Sequence, residues 1–430
     1  MPAPSKVAPV STIPFEILDK ILDECLQSVT TGSRDLSIKH TLIHICREWR
    51  LVMFSQPKFW TTLTIDIGVP SAYLRFLIRE ALRVCQPLDV SVDTGEIDLT
   101  LNATPDYKYP WILETFITLG NAVNRIRDLS VTTSGQPSLT LILRVLRVEQ
   151  ATNLQHISVA LCHERFLHVP APMVALSSMH LKSFTIDKVI PVWEDTSFLS
   201  RISTLTIGGL RMTLTWKRLR SLLLVAKHIT SLAFHDLVCH PLPHRTPHIV
   251  ELEELLSFQL VFGHTDDLEV VSLIRMPNLK TVRIIGLPDA PWASLPLTCS
   301  FLLRKPINLV LTPGYGSQLL PSILHPLPAT YFLDIQAFPL QFVKDLFLND
   351  GKCGLSCPKL RTLVTCGAVE ASLIRSVAEC AGSTEVSVLE PIGRDNLPFN
   401  FRKWYFNGDN VETTRVLLDL EKEMMMYSDI

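Results

Sequence analysis

The residues with the clearest capacity for chemistry are four histidines and one cysteine within a short segment. They are His235, Cys239, His240, His244 and His248. A zinc site uses four such side chains converging as a tetrahedron, and this segment has enough donors to form one. However, prolines stand at positions 241, 243 and 247, and no pair of closely spaced cysteines accompanies the histidines. We therefore predict a protruding histidine-rich loop over 239–248 with no bound metal.

Two other groups of potential metal ligands have unsuitable spacing. His163 and Glu164 are followed by His168, five residues after the first histidine. A metalloprotease helix needs its second histidine four residues on, because only that spacing brings both rings to one face. Three cysteines also lack the spacing of a zinc ribbon, and we interpret them as reduced thiols: Cys353, Cys357 and Cys366.

Motifs for phosphate binding and nucleophilic catalysis are incomplete or absent. Gly314 and Gly316 follow an apolar segment, but Leu319 stands where a third glycine would be needed. The chain has neither a Walker lysine motif nor a Gly-x-Ser-x-Gly nucleophile elbow. We therefore predict that the protein is not an enzyme and takes no cofactor.

The composition is that of a folded protein with an almost neutral surface. The chain has 430 residues, of which 47% are hydrophobic and 19% charged, so it can bury a large core. Its 40 Lys and Arg nearly balance 42 Asp and Glu, giving a formal charge of −2. Nonspecific binding to nucleic acid or to acidic membranes relies on a basic surface. We therefore predict that neither is a partner.

The long apolar runs and the cysteines indicate an intracellular protein. The run Leu139–Val148, for example, contains Arg144 and Arg147, whereas a membrane span needs about 20 residues with few or no charges. Residues 1–12 include three prolines and do not resemble a signal peptide. The ten cysteines show no paired framework, which predicts reduced thiols and a cytoplasmic or nuclear location.

A short apolar-x-x-apolar-x-apolar unit recurs along most of the chain. From Leu129 onwards the central apolar positions lie 21 to 28 residues apart. These positions are Leu129, Ile157, Phe184, Leu205, Leu232, Phe258 and Val282. Further copies occur around Leu63, Val90, Leu309, Leu333, Leu363 and Val388. Each unit predicts one strand with two inward residues, and stacking such units predicts an α/β fold with a curved parallel sheet.

The two ends of the chain have a different character. Residues 1–12 are a flexible lead-in, and three short helices with an apolar stripe are predicted over 13–62. Pro14 and Glu16 suit the first turn of the first helix. The solenoid would occupy 63–398 and a capping segment 399–430, where Asp409 and Glu412 resemble a capping box. We expect a terminal helix there, covering the last open strand edge.

The segment 13–62 resembles an F-box, of the kind found in large fungal families that also carry degenerate leucine-rich repeats. Three short motifs match: Ile13-Pro14-x-Glu16-Ile17-Leu18-x-x-Ile21-Leu22, Cys46-Arg47-x-Trp49-Arg50 and Pro57-x-Phe59-Trp60. The resemblance implies a substrate receptor of a Skp–cullin–F-box ubiquitin ligase, with an N-terminal three-helix F-box and an irregular leucine-rich-repeat solenoid. Such a receptor binds a Skp-type adaptor, and through it a cullin, and promotes ubiquitination of a target by proximity.

The resemblance places one set of residues at or behind the adaptor contact: Ile13, Pro14, Ile17, Leu18, Ile21, Cys46 and Trp49. Each of them could instead belong to the small core of the helices, because an apolar stripe at helical spacing usually forms a core. Pro14, Ile13 and Ile17 are the best candidates for contact. The alternative function is a repeat scaffold for protein–protein interaction, in which these helices only cap the solenoid and recruit no ligase.

The residues between the inward positions of each strand would form the face that binds an unidentified target protein. One predicted ladder is Ser130, Ser158, Thr185, Thr206, Ala233, Gln259 and Arg283. The next is Thr132, Ala160, Asp187, Gly208, His235, Val261 and Ile285. The candidate target-binding residues among them are Thr185, Asp187, Thr206, His235, Gln259 and Arg283. A single arginine on the first ladder argues against recognition of phosphorylated motifs.

Overall fold

The computed structural model describes residues 13–27, 35–66, 72–84, 88–93, 110–133, 135–162, 171–172, 180–189, 191–192, 197–209, 215–237, 249–261, 270–271, 273–287, 306, 308–313, 327, 329–335, 338, 340–347, 357–365, 371–381, 386–391, 400–407 and 410–417. The chain divides into two compact units, Met1–Ile202 and Ser203–Ile430.

The first unit begins with three helices and a short 3-10 turn. The helices are α1 (Phe15–Gln27), α2 (Asp35–Ile45) and α3 (Arg47–Ser55), and the turn is Pro57–Trp60. The carbonyl of Pro14 accepts hydrogen bonds from the backbone N–H groups of Ile17 and Leu18, both at 3.1 Å, which starts α1. The apolar series from Ile38 to Trp49 is divided between α2 and α3, because Cys46 adopts extended backbone at φ −158°.

The small core of these helices is closed by Trp60. Its side chain is fully buried, and its indole N–H donates to the carbonyl of Met53 at 2.7 Å. The ring of Phe54 stacks on Trp60 with centroids 5.4 Å apart. Phe54 also meets the ring of Phe76 edge-on, with centroids 6.1 Å apart. Phe76 belongs to α4 (Ala72–Val84), so the aromatic cluster joins the N-terminal helices to the helix that follows the first strand.

The first unit continues with five parallel strands and two more helices. The strands are β1 (Thr62–Asp66), β2 (Leu88–Asp93), β3 (Ile126–Thr133), β4 (His156–Leu161) and β5 (Ser183–Asp187), and the helices after α4 are α5 (Pro110–Gly120) and α6 (Gln136–Val145). Neighbours in the order β1 to β5 pair in parallel. In β3, β4 and β5 buried residues alternate with more exposed ones, so one side of each of these strands faces the core. A separate pair of two-residue strands joins Ala171–Pro172 to Pro191–Val192.

Within its described residues, the second unit has eight parallel strands in the large sheet, followed by two antiparallel ones. The parallel strands are β6 (Thr204–Gly208), β7 (Ser231–His235), β8 (Ser257–Val261), β9 (Thr281–Leu287), β10 (Asn308–Pro313), β11 (Phe332–Asp334), β12 (Thr362–Val364) and β13 (Val386–Pro391). The described helices are α7 (Trp216–Val225), α8 (Leu340–Phe347) and α9 (Ala371–Ala381). A second small pair joins Val250–Glu251 to Ile274–Arg275.

The repeat prediction is confirmed at the level of fold class, since the chain is α/β with extensive parallel sheet. Every apolar unit identified in the sequence coincides with one of the strands β1 to β13. The central residues of the regular units, from Leu129 to Val282, are at most 2% exposed. Leucine-rich-repeat membership and the curvature of the sheet remain predictions.

A left-handed backbone residue recurs where several strands end. Lys188, Gly209, Asp236 and Gly286 all have positive φ, between 50° and 76°. Lys188, Gly209 and Asp236 each follow directly on a strand end, and Gly286 lies at the register shift of β9. A leucine-rich repeat usually has asparagine or cysteine after its strand, and the sequence lacks most of these residues. The shared feature here is therefore backbone conformation, which glycine and aspartate adopt more readily than lysine.

The prediction of a C-terminal helix is wrong. Asn400–Asn407 forms strand β14 and Asn410–Leu417 forms strand β15, and they pair as an antiparallel hairpin on β13. Val416 and Leu417 also fit the apolar stripe of a helix, but a short apolar series fits either period, and pairing with an open strand edge favours the extended form. The segment does follow the last parallel strand, as expected for a cap.

The cysteines are partly as predicted. Cys25, Cys46, Cys162 and Cys357 are not in disulfide bonds, whereas Cys380 is disulfide-bonded. The expectation of reduced thiols is therefore wrong at Cys380, because spacing along the chain does not show which sulfur atoms meet in space. None of the helices in the described part of the chain has the length and apolar composition that a bilayer crossing requires.

Candidate functional site

The predicted adaptor-contact residues divide into exposed and buried groups. Pro14 is exposed, and the side chain of Ile17 is 48% exposed on α1. Leu18 is buried at 3%, so it lies behind the surface rather than on it. The remaining members of the set are half-buried: Ile13, Ile21, Cys46 and Trp49. Of the three best sequence candidates, Pro14 and Ile17 are thus exposed, whereas Ile13 is half-buried.

Three further apolar side chains are exposed on the same helices and were not among the sequence candidates. Phe15 is 46% exposed, Ile45 is 48% exposed and Leu51 is 60% exposed. Meanwhile Leu22, which lies one turn after Leu18, is fully buried. The core of the helices is therefore filled without Phe15, Ile17, Ile45 and Leu51. We call these four residues the exposed apolar set.

Charged side chains tie the 3-10 turn and α3 to the other two helices. The Nζ of Lys58 lies 2.7 Å from Oδ2 of Asp19 and 2.6 Å from Oδ2 of Asp23, which links the turn to α1. Hydrogen bonds to Asp19 and Asp23 raise the pKa of Lys58. The Nε of Arg50 donates to the carbonyl of Ile43 at 2.9 Å, which links α3 to α2. The helices that carry the exposed apolar set are thus linked by specific polar contacts.

In the first unit the predicted ladders are in register. Ser130 pairs with Ser158, and Ser158 pairs with Thr185. On the second ladder Thr132 pairs with Ala160, and Ala160 pairs with Asp187. Thr185 and Asp187 are half-buried, consistent with side chains on the open face of the strand.

In the second unit the ladders are also in register. Thr206, Ala233, Gln259 and Arg283 are successive partners, as are Gly208, His235, Val261 and Ile285. Thr206, Gln259 and Arg283 are half-buried, whereas Gly208 is buried. Nε2 of Gln259 lies 3.2 Å from Nε2 of His235, so the two ladders are joined by one side-chain hydrogen bond.

A cavity of about 220 Å³ opens over β2 to β5 of the first unit. It is lined by Asp89, Val90, Asp128, Leu129, Ser130, His156, Ile157, Ser158, Ser183 and Thr185. Thr185, one of the predicted target-binding residues, thus lies in this cavity. The lining combines hydroxyl groups, apolar residues and one group of titratable side chains.

The titratable groups of this cavity surround one guanidinium. Nη2 of Arg127 lies 2.8 Å from Oδ2 of Asp89, and its Nε lies 3.1 Å from Oδ2 of Asp128. Nε2 of His156 lies 3.8 Å from Oδ1 of Asp128. Burial and the neighbouring Asp128 raise the pKa of Asp89, although Arg127 acts in the opposite direction.

Sequence reasoning missed Asp89, Asp128 and His156, although a signal for them exists. Each stands directly before a central apolar residue of the repeat, and backbone pairing joins Asp89 to Asp128 and Asp128 to His156. The repeat alignment therefore predicts that they meet. The predicted ladders include only positions after the central residue.

The candidate metal and catalytic motifs have limited structural counterparts. His235 lies on β7, while Cys239, His240, His244 and His248 lie outside the described residues, as do His163, Glu164, His168 and the segment 314–316. Within the described residues, no three histidine, cysteine, aspartate or glutamate side chains are placed to hold a metal ion. Cys357 is buried, which raises the pKa of its thiol to about 12. A thiol with this pKa is a poor nucleophile at neutral pH.

Comparison with known proteins assigns no family to this chain. No family model matches the sequence, and no curated protein matches it.

Proposed function

We propose that the chain is the substrate-recognition subunit of a Skp–cullin–F-box ubiquitin ligase. Its N-terminal helices would bind the Skp adaptor, and its sheet face would bind a target protein for ubiquitination. The observation that carries the proposal is the exposed apolar set, because these side chains lie on helices whose own core is already filled.

The side chains of the exposed apolar set can stabilise a complex by burying their apolar area against a partner. Fully burying a side chain of this size contributes about 1.5–3 kcal/mol. Four such side chains are enough for a specific interface, since a few buried anchors usually supply most of the binding energy. Ile17 belongs to this set, and both Ile17 and the exposed Pro14 belong to the motif that resembles an F-box.

In this proposal the protein performs no bond chemistry. The adaptor brings the cullin and a ubiquitin-charged conjugating enzyme, and the sheet face brings the target. The rate of transfer rises because a target lysine is held at high effective concentration near the thioester. Such a role requires an intracellular location, in cytoplasm or nucleus.

The second candidate is a repeat scaffold whose helices cap the sheet. The aromatic cluster of Phe54, Trp60 and Phe76 favours this reading, because it joins the N-terminal helices to α4. α2 also packs against β1. A cap of this kind needs no exposed apolar side chains, so adaptor binding separates the two candidates.

The test is co-purification of the full chain with a purified Skp adaptor. We expect Ile17→Asp combined with Pro14→Ala to reduce recovered adaptor at least tenfold, because a carboxylate would have to be desolvated in the interface. Leu51→Asp should act in the same direction. Leu224→Asp is the matched control, because Leu224 is 46% exposed on α7 of the second unit. Circular dichroism of each variant verifies that it has folded.

Unchanged adaptor recovery by the Ile17 and Leu51 variants would refute the docking surface. Failure of the wild-type chain to bind adaptor would refute the ligase role and favour the scaffold.

A further inference from the structure

We propose that the cavity over β2 to β5 binds the cationic side chain, lysine or arginine, of an extended segment of the target protein. This inference rests on the proposed role of the sheet face in target binding, and it adds the chemical class of the target. Three features of the cavity support it: its size, its charge and two carboxylate oxygens without a hydrogen-bond partner.

The size of the cavity suits one long side chain. Its volume is about 220 Å³, whereas pockets for cofactors and drug-sized ligands usually have about 300–1,000 Å³. The apolar residues Val90, Leu129 and Ile157 contribute to its walls, and they would contact the methylene groups of such a side chain.

The charge of the cavity is complementary to a cation. Two carboxylates, Asp89 and Asp128, contact the single guanidinium of Arg127, so that group carries a net charge of about −1 when both are ionised and His156 is neutral. The raised pKa of Asp89 agrees with incomplete compensation by Arg127. A second cation would neutralise the pair, and an anion would be repelled.

The hydrogen-bonding capacity of the carboxylates is also incomplete. Oδ1 of Asp89 and Oδ1 of Asp128 are buried and have no hydrogen-bond partner. A buried acceptor without a donor is unfavourable. An ammonium group brings three donors and a guanidinium five, so either has enough donors for both oxygens once the carboxyl groups turn these buried atoms towards the cavity.

The remaining polar groups indicate how the rest of the target segment is held. Ser130, Ser158 and Thr185 lie on one ladder, directly beside the carboxylates. Hydroxyl groups both donate and accept hydrogen bonds, so they can pair with the backbone of an extended peptide without selecting its sequence. The specificity of this site therefore comes from the cationic side chain.

The test uses heptapeptide libraries with a fixed central residue and uncharged flanking mixtures. Four libraries carry arginine, lysine, citrulline or acetyl-lysine at the centre, the last two being neutral counterparts of the first two. Binding to the immobilised full chain is measured by mass spectrometry of the retained peptides. We expect at least tenfold more retention of the arginine or lysine library than of its neutral counterpart.

Variants locate the binding to the cavity. Asp89→Asn with Asp128→Asn should abolish the preference for the cationic library. Ser158→Arg should do the same by placing a tethered guanidinium beside the carboxylates. Glu114→Gln is the control, because Glu114 is 49% exposed and pairs with Arg75 away from the cavity. Equal retention of charged and neutral libraries, or a preference that survives both cavity variants, would overturn the inference.

Adaptor recovery measured on the same preparations separates this inference from the proposed ligase role. Adaptor binding without a preference for cationic peptides would refute the proposed role of the cavity and leave the ligase role standing. A cationic preference without adaptor binding would refute the ligase role and leave the cavity as a peptide-binding site of a scaffold.

Discussion

Asp89 and Asp128 come from neighbouring strands and meet at one guanidinium. Each carboxylate is partly buried, and each has one oxygen bound to Arg127 and one without a hydrogen-bond partner, although Nε2 of His156 lies 3.8 Å from the second oxygen of Asp128. For Asp89, the effects of burial and of the second carboxylate on the pKa outweigh the effect of Arg127. A carboxyl in this position favours its protonated form more than a carboxyl in the unfolded chain does.

The raised pKa of Asp89 makes a pH-dependent contribution to stability. As pH falls from 7, the folded state takes up the proton first, so the contribution of Asp89 to the free energy of unfolding increases. The increase ends once the unfolded carboxyl is also protonated, below about pH 4. Asp89→Asn removes this contribution. We therefore expect the free energy of unfolding of the variant, relative to that of the wild type, to be highest at pH 7. This difference should decrease towards pH 4.

Urea denaturation at several pH values between 7 and 4 measures this difference. Ser158→Ala is the control, since it alters the same cavity without removing a titratable group, and its curve should run parallel to the wild-type curve. If the free energy of unfolding of Asp89→Asn runs parallel to that of the wild type over this pH range, Asp89 has the same pKa in the folded and unfolded states.

At the level of elements, α5 ends against the last turn of α6 at Gly120. A Cβ at this position would lie 2.5 Å from the carbonyl oxygen of Val145 and 3.3 Å from Cα of Leu146. Both are backbone atoms, so rotation of a side chain cannot relieve the contact. The close approach of α5 and α6 therefore requires glycine.

Gly120→Ala should lower the free energy of unfolding by about 1–3 kcal/mol, as overpacking does in other proteins. The sign of this change is informative, because replacing glycine by alanine within a helix usually raises stability, by up to about 1 kcal/mol. Ile117→Ala, on the exposed side of the same helix, should change stability by only about 0.5 kcal/mol. Urea denaturation curves of both variants measure these changes in the free energy of unfolding. A Gly120→Ala variant more stable than the wild type would contradict the close approach of α5 and α6.

At the scale of the molecule, parallel strands leave edges that must be covered. In the second unit, β13 is followed by the antiparallel hairpin of β14 and β15. An uncovered edge strand presents unpaired N–H and C=O groups to other chains. The hairpin therefore protects this unit against association through β13.

Deletion of residues 398–430 should convert the chain into a species that aggregates, because it removes both strands of the hairpin. Deletion of residues 418–430 alone keeps both strands and serves as the control. Size-exclusion chromatography with light scattering distinguishes the two. A monomeric product of the longer deletion would mean that the edge of β13 needs no cover.

The periodic spacing of apolar residues was sufficient to predict strands β1 to β13 and the register of the ladders. Leu129, Ile157 and Phe184 share a phase with alternating neighbours, and in a parallel sheet that phase alone determines which residues pair. The ladder residues Ser130, Ser158 and Thr185 were therefore predictable. The exposure of Pro14 and Ile17 was expected from the motif that resembles an F-box.

Other features depend on contacts between segments that are distant in the chain. The exposure of Ile45 was decided by how the helices pack, since an apolar residue at helical spacing can face a core or solvent. The C-terminal hairpin formed because β13 offered an edge, which outweighed the helical pattern around Val416. The net charge of Asp89 and Asp128 with Arg127, and the burial of their Oδ1 atoms, depend on how these three side chains lie in space. The spacing of the residues along the sequence does not show this.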